Sequence, residues 1–159
     1  MNQLFLHDAM RPLSIYCDGA APNNQNGCAK GGVGVAIYDA LDCCVYEYSS
    51  KAQGVNGTTN QRAELLALIC SLLLSSAGDC IYSDSQYSVK GYNEWLSGWK
   101  SKGWRSSSRK PIANLDLWLL IDDIQTMRRG VKVVHVSGHN GLAGNEHADR
   151  LATEAAHQD

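Results

Sequence analysis

The sequence predicts an α/β fold: a five-stranded mixed sheet flanked by helices on both faces. Three observations predict it. Five short stretches read as strands, by period-two alternation or by a brief apolar run. The apolar period changes from two to about 3.6 after residue 59, and helical and extended stretches then alternate. The resulting order is β-β-β-α-β-α-α-β-α. The first three strands are therefore antiparallel neighbours, and the later ones return through helical crossovers, expected right-handed.

Each element has its own signal. Residues 13–18 alternate, with Leu13, Ile15 and Cys17 on one face and Tyr16 and Asp18 on the other. A Gly/Asn/Pro-rich loop follows, residues 19–32. Residues 33–38 and 43–48 are two strands joined by a turn at 39–42, a hairpin. From residue 59 to about 75, Leu65, Leu66, Leu68, Ile69, Leu72 and Leu73 recur at helical spacing, and Gly78 ends the run. Residues 80–84 form a short buried strand, and a second helix runs from Ser85 to about Leu96. A third helix covers 114–128, with Gly130 after it; residues 131–136 are a fifth strand, and 144–156 a terminal helix. No internal repeat, low-complexity tract or linker interrupts the order.

The 159 residues fit one domain, and 44% hydrophobic content supplies a proper core. The formal net charge is −2, so any nucleic-acid binding must come from a local patch. No apolar run is long enough to span a membrane, and the start lacks the basic and apolar regions of a secretory signal. Six cysteines are present, but Cys43 and Cys44 are adjacent, Cys17, Cys70 and Cys80 lie in apolar runs, and no zinc spacing occurs. Reduced thiols in a cytoplasmic protein are expected. Cys17 and Cys28 are the one pair where a redox role would be looked for.

Four carboxylates carry the chemistry. They are Asp18 in Tyr16-Cys17-Asp18-Gly19-Ala20, Glu64 in Thr58-Thr59-Asn60-Gln61-Arg62-Ala63-Glu64, Asp84 in Tyr82-Ser83-Asp84-Ser85-Gln86, and Asp149 in Gly144-Asn145-Glu146-His147-Ala148-Asp149. Taken singly, each has a bland reading. Asp18 before Gly is a turn residue, Asp84 before Ser an N-cap, Glu64 a solvated helix charge, and Asp149 with Arg150 a surface pair. Together they suit a pair of Mg²⁺ ions, which need hard, anionic oxygen ligands and can clamp the attacking and leaving oxygens of an in-line displacement. If strands one and four are central neighbours, Asp18 and Asp84 share one sheet edge, where sites of open α/β sheets form.

These motifs, with Gly138-His139-Asn140-Gly141-Leu142-Ala143-Gly144 ahead of the last, resemble the type 1 ribonuclease H family over about residues 13–156. The resemblance implies the ribonuclease H-like fold, with a catalytic domain at 13–157 after a short extension at 1–12. It implies an endonuclease that hydrolyses the RNA strand of RNA–DNA hybrids with two Mg²⁺ ions (or Mn²⁺), leaving 5′-phosphate and 3′-hydroxyl ends. Asp18 would bridge both ions, Asp149 would complete the site of the ion that activates water, and Glu64 and Asp84 would hold the ion at the leaving oxygen. His139, among glycines 138, 141 and 144, matches a mobile histidine that assists proton transfer or product release.

Substrate contacts are read from charge and from the resemblance. Residues 95–110 carry Lys100, Lys102, Arg105, Arg109 and Lys110, no acid, and Trp95, Trp99 and Trp104, three of the four tryptophans. Those five cations leave −7 for the remainder of a chain whose total is −2. Cations neutralise phosphates and rings pack on sugars, so this stretch suits a nucleic-acid backbone; the bland reading is a solvated loop anchored by its tryptophans. The resemblance implies a basic protrusion here that grips the DNA strand. It also implies a DNA-phosphate pocket from Thr59, Asn60 and Asn114, with Gly57 where some members carry Arg. Asn60, Glu64 and Gln86 are the candidates for reading RNA 2′-hydroxyls. Residues 1–11 are too short for a hybrid-binding domain, so low processivity, a free-standing enzyme and a monomer are expected. The rivals are an inactive hybrid-binding domain, a DNA-cutting integrase or resolvase, and a fragment of a reverse transcriptase.

Overall fold

The computed structural model describes residues 6, 9–22, 30–52, 58–106, 108, 110–138 and 142–158. Five strands form one sheet in the order β3-β2-β1-β4-β5. They are β1 (Ser14–Ala20), β2 (Gly32–Tyr38), β3 (Cys44–Lys51), β4 (Cys80–Ser83) and β5 (Lys132–His135). β1 pairs antiparallel with β2 and parallel with β4, so it lies at the centre, as the element order predicts. β1 runs two residues further than its alternation suggests, because Gly19 and Ala20 still pair with Val33 and Gly32.

Helix α1 (Asn60–Leu74) packs on one face of this sheet and α5 (Ala143–His157) on the other. Two glycines show how close they come. A Cβ on Gly19 would lie 2.2 Å from the carbonyl carbon of Ala63 in α1, and one on Gly34 would lie 2.3 Å from the carbonyl oxygen of Ala148 in α5. Asp18 faces Gly34 in the β1–β2 register, so successive residues of β1 meet opposite helices. α5 presents Ala148, Ala152, Ala155 and Ala156 inward, a small-residue face suited to backbone contact. α1 instead buries Leu65, Leu68, Ile69 and Leu72. Each such side chain contributes about 1.5–3 kcal/mol when removed from water.

The second predicted helix ends later than its sequence suggests. α2 (Gln86–Lys90) continues through a π turn, Gly91–Trp95, into α3 (Leu96–Ser101). Leu96 is buried and Trp99 packs against the core, so the inward stripe carries on past residue 96. α4 (Leu115–Met127) then packs against α1, with Trp118 fully buried. Asp79, also buried, accepts from Leu13 N, Ser76 N and Arg11 Nη1 at 2.8, 2.8 and 2.9 Å. That bond and buried Leu6 fasten the segment ahead of β1 to the body.

Candidate active site

The elements bring the four carboxylates to one cleft. Asp18 sits inside β1, paired with Gly34, and is no turn residue. Asp84 follows directly on β4, the parallel neighbour of β1. It does not cap α2: Ser85 does, its Oγ accepting from Ser88 N at 3.1 Å. Glu64 lies one turn into α1, which Thr59 caps by accepting from Arg62 N at 3.1 Å. The close approach at Gly19 sets this helix directly beside β1. Asp149 comes from α5 and is exposed, while its neighbour Arg150 pairs with Glu154 at 3.9 Å.

Carboxylate oxygens of Asp18, Glu64 and Asp84 all lie within 4.8 Å of one another. With Asp149 they line a cleft of about 450 Å³, together with residues of the loop after β1, Asn60 and Thr153. Glu64 Oε2 is buried without a hydrogen-bond partner. Gly19 N donates to Asp18 Oδ1 at 3.0 Å. The charges are crowded and partly dry. Burial, then the charge of Glu64, raises the Asp18 carboxyl far above the usual carboxylate range. Burial, with Asp84 and Asp149 adding like charge, pushes Glu64 up to about 7. No cationic side chain lines this cleft among the described residues. An orphaned, buried carboxylate oxygen facing other carboxylates fits a hard divalent cation.

Behind the cluster lies Cys17, fully buried and a free thiol. Burial raises its thiol far above the ordinary range, the charges of Glu64, Asp18 and Asp84 adding to the effect. A protonated, enclosed thiol is a poor nucleophile, which removes the chemical basis for a redox role. Its suggested partner, Cys28, lies outside the described residues.

A sequence model of the RNase H family matches residues 10–157. The chain belongs to the ribonuclease H family. It is 41% identical to the ribonuclease H of Cyanothece sp. over 142 residues, 87% of this chain and 85% of that one. In structure it is similar to LC11-RNase H1 in complex with an RNA/DNA hybrid, with TM-score 0.66, 25% identity, and 91% and 96% of the two chains covered. It is also similar to a foamy viral protease-reverse transcriptase in complex with RNA/DNA hybrid, with TM-score 0.80 and 25% identity. There it covers 93% of this chain but spans only 21% of that longer one. The protein is thus a ribonuclease H, an enzyme that hydrolyses RNA paired with DNA.

The other residues singled out for this ribonuclease H fall into three groups. Thr59, Asn60 and Gln86 are exposed around the helix starts beside the cleft. Asn60 Oδ1 accepts from Ala21 N at 2.9 Å, which leaves its amide nitrogen to donate outward. Asn114 is left-handed, φ 59°, at the start of α4. Its Oδ1 accepts from Arg62 Nη1 at 3.3 Å and its Nδ2 donates to Tyr87 Oη at 3.0 Å. Arg62 also forms a two-pronged bond to Asp116, 2.9 and 2.8 Å, tying the start of α1 to the start of α4.

The basic stretch divides. Lys102, Arg105 and Lys110 are exposed, and Arg105 and Lys110 line a cleft with Trp104 and Pro111. Lys100 instead lies on α3 and pairs with Asp122 of α4 at 3.2 Å. Trp95, Trp99, Trp118 and Tyr87 form a closed ring of aromatic contacts with centroids 5.4–5.9 Å apart. Anchoring is therefore what Trp99 does, whereas Trp95 is 36% exposed. His139, Arg109 and Gly57 lie outside the described residues. Sequence reasoning overlooked Thr153. Its signal was available: it stands one helical turn after Asp149, on the same face of α5.

Proposed function

We propose that this ribonuclease H cuts the RNA strand of RNA–DNA hybrids at internal positions by a two-metal-ion mechanism, leaving 5′-phosphate and 3′-hydroxyl ends. One observation carries the reading: three carboxylates from three separate elements converge within 4.8 Å, with Glu64 Oε2 buried and unpartnered. Asp18, Glu64, Asp84 and Asp149 would hold two Mg²⁺ ions, with Mn²⁺ as a substitute. When bound, such ions supply Lewis acidity and the positive charge that stabilises an in-line displacement. The protein's own contribution is alignment. Asp18, on the central strand, would be the shared ligand, with Glu64 and Asp84 serving one ion and Asp149 the other. Thr59, Asn60 and Asn114 would receive a phosphate of the DNA strand. Asn60, Glu64 and Gln86 would read 2′-hydroxyls, and Trp95, Lys102, Trp104, Arg105, Arg109 and Lys110 the backbone farther along, with Trp99 as an anchor and Lys100 held by Asp122. His139 would move a proton or speed product release.

The catalytic domain would comprise residues 13–157, acting as a monomer in the cytoplasm. The free thiols among the described cysteines support a reducing compartment, and no helix among the described residues is long and apolar enough to cross a membrane. The test uses Mg²⁺ with RNA–DNA, RNA–RNA and DNA–DNA duplexes, end-labelled on each strand in turn. Only the RNA strand of the hybrid should be cut, with little sequence preference. Cutting of DNA–DNA at a comparable rate would favour an integrase-like nuclease instead.

A further inference from the structure

We infer that the Thr153 hydroxyl is a direct contact to the RNA strand, paired across the cleft with the amide of Asn60. The inference rests on the function proposed above. Its starting point is the composition of the cleft wall. Four carboxylates supply its chemistry, and among the described residues the end of β1 contributes Gly19 and Ala20 and the loop after it Ala21 and Pro22. Among the described lining residues, two neutral side chains can donate a hydrogen bond: Asn60 from α1 and Thr153 from α5. A phosphodiester entering a cleft this acidic is repelled wherever ions do not screen it. Neutral donors are then the groups of the protein that can hold a phosphate oxygen or a 2′-hydroxyl without competing for the ions.

The two donors are placed for this. Asn60 Oδ1 is engaged by Ala21 N, so the amide has a fixed orientation and an unused Nδ2. Thr153 is exposed on α5, one turn beyond Asp149, while its neighbours Ala152 and Ala155 are buried. The helix packs through those alanines and not through Thr153. The residue is therefore outside the packing face of α5, and it lines the cleft. A β-branched threonine has two main rotamers in a helix, so its hydroxyl is confined to two places.

The test compares Thr153→Val, which keeps the shape and removes the hydroxyl, with Thr153→Ser, which keeps the hydroxyl. Melting temperatures of both should match wild type within experimental error, since the site is exposed and outside the packing face. On the hybrid in Mg²⁺, Thr153→Val should lose about tenfold in kcat/KM, the order expected for one hydrogen bond to a charged partner. Thr153→Ser should stay within about twofold of wild type. Hybrid affinity measured in Ca²⁺ should fall for Thr153→Val, with the salt dependence unchanged, because a neutral donor releases no counterion. Wild-type kcat/KM in Thr153→Val would overturn the inference. So would a defect that vanishes at high Mg²⁺ with hybrid affinity intact, because the hydroxyl would then serve ion binding. Failure of the wild-type protein to cut the hybrid would instead count against the proposed function, before any variant is compared.

Discussion

A Cβ on Gly19 would stand 2.2 Å from the carbonyl carbon of Ala63, the residue immediately before Glu64. The spacing between buried Asp18 and half-buried Glu64 is therefore set by the absence of a side chain at their junction. Gly19→Ala must push α1 away from β1, since backbone offers no flexible end to yield. Overpacking of this kind costs about 1–3 kcal/mol. We expect a lower melting temperature and a loss of Mg²⁺-dependent cleavage of at least about tenfold, as misplacement of catalytic groups commonly gives. Calorimetry and a hybrid cleavage assay on the same variant check both.

Asp18→Asn should abolish cleavage and, without ions, stabilise the fold. Burial and the charge of Glu64 raise the Asp18 carboxyl, so between its unfolded and folded values the folded state holds more protons. Stability of the ion-free wild type therefore falls as pH rises above the ordinary carboxylate range, and recovers as pH falls back. The gain from Asp18→Asn should be small near pH 4 and grow steadily toward pH 8. Thermal melts in chelator across pH 4 to 8 measure it, and an unchanged gap would contradict the burial argument.

Much of this site was legible in the sequence, and the reasons are local. Asp18 and Asp84 end or nearly end apolar strands, and strand patterns are readable in short windows. Thr59 stands at the helix start that the sequence predicts, whereas the capping of α2 by Ser85 and not Asp84 is a finding of the structure. What escaped depends on pairs distant in sequence. Nothing near Lys100 signals that Asp122 will claim it, and nothing near Arg62 signals Asp116. The continuation of the second helix past Leu96 to Ser101 also escaped.

That division refines the charge prediction. Replacing Lys102, Arg105 and Lys110 with Ala should weaken hybrid binding far more than it slows chemistry at saturation. It should also flatten log affinity against log salt by about one unit for each phosphate no longer neutralised, up to about three. Lys100→Ala alone should change the slope little, since its charge already faces Asp122. Binding in Ca²⁺ over a salt series decides; an unchanged slope for the triple variant would place the grip elsewhere.

His139→Ala should lower turnover by about tenfold to a hundredfold, the range for losing one acid–base group, with hybrid affinity nearly constant. Steady-state kinetics with a parallel binding measurement separate turnover from affinity. A large affinity loss at unchanged maximal rate would make the residue a substrate contact.

Cys43 and Cys44 are exposed and should react quickly with a thiol reagent, while Cys17 reacts only on unfolding. Reductant should leave cleavage unchanged. A rate that depends on reductant would restore a redox role near Asp18.

The docking of α5 through Gly34 has a temporal consequence. Asp149 travels on a helix synthesised after the strands and α1 that carry Asp18, Glu64 and Asp84. A nascent chain can therefore collapse around its sheet before it owns a complete set of ligands. The fourth negative charge would arrive with the docking of α5, opposed by the three on the sheet and α1. Cations that neutralise those three would lower the barrier to that event, so Mg²⁺ should accelerate the last phase of refolding as well as raise the final stability.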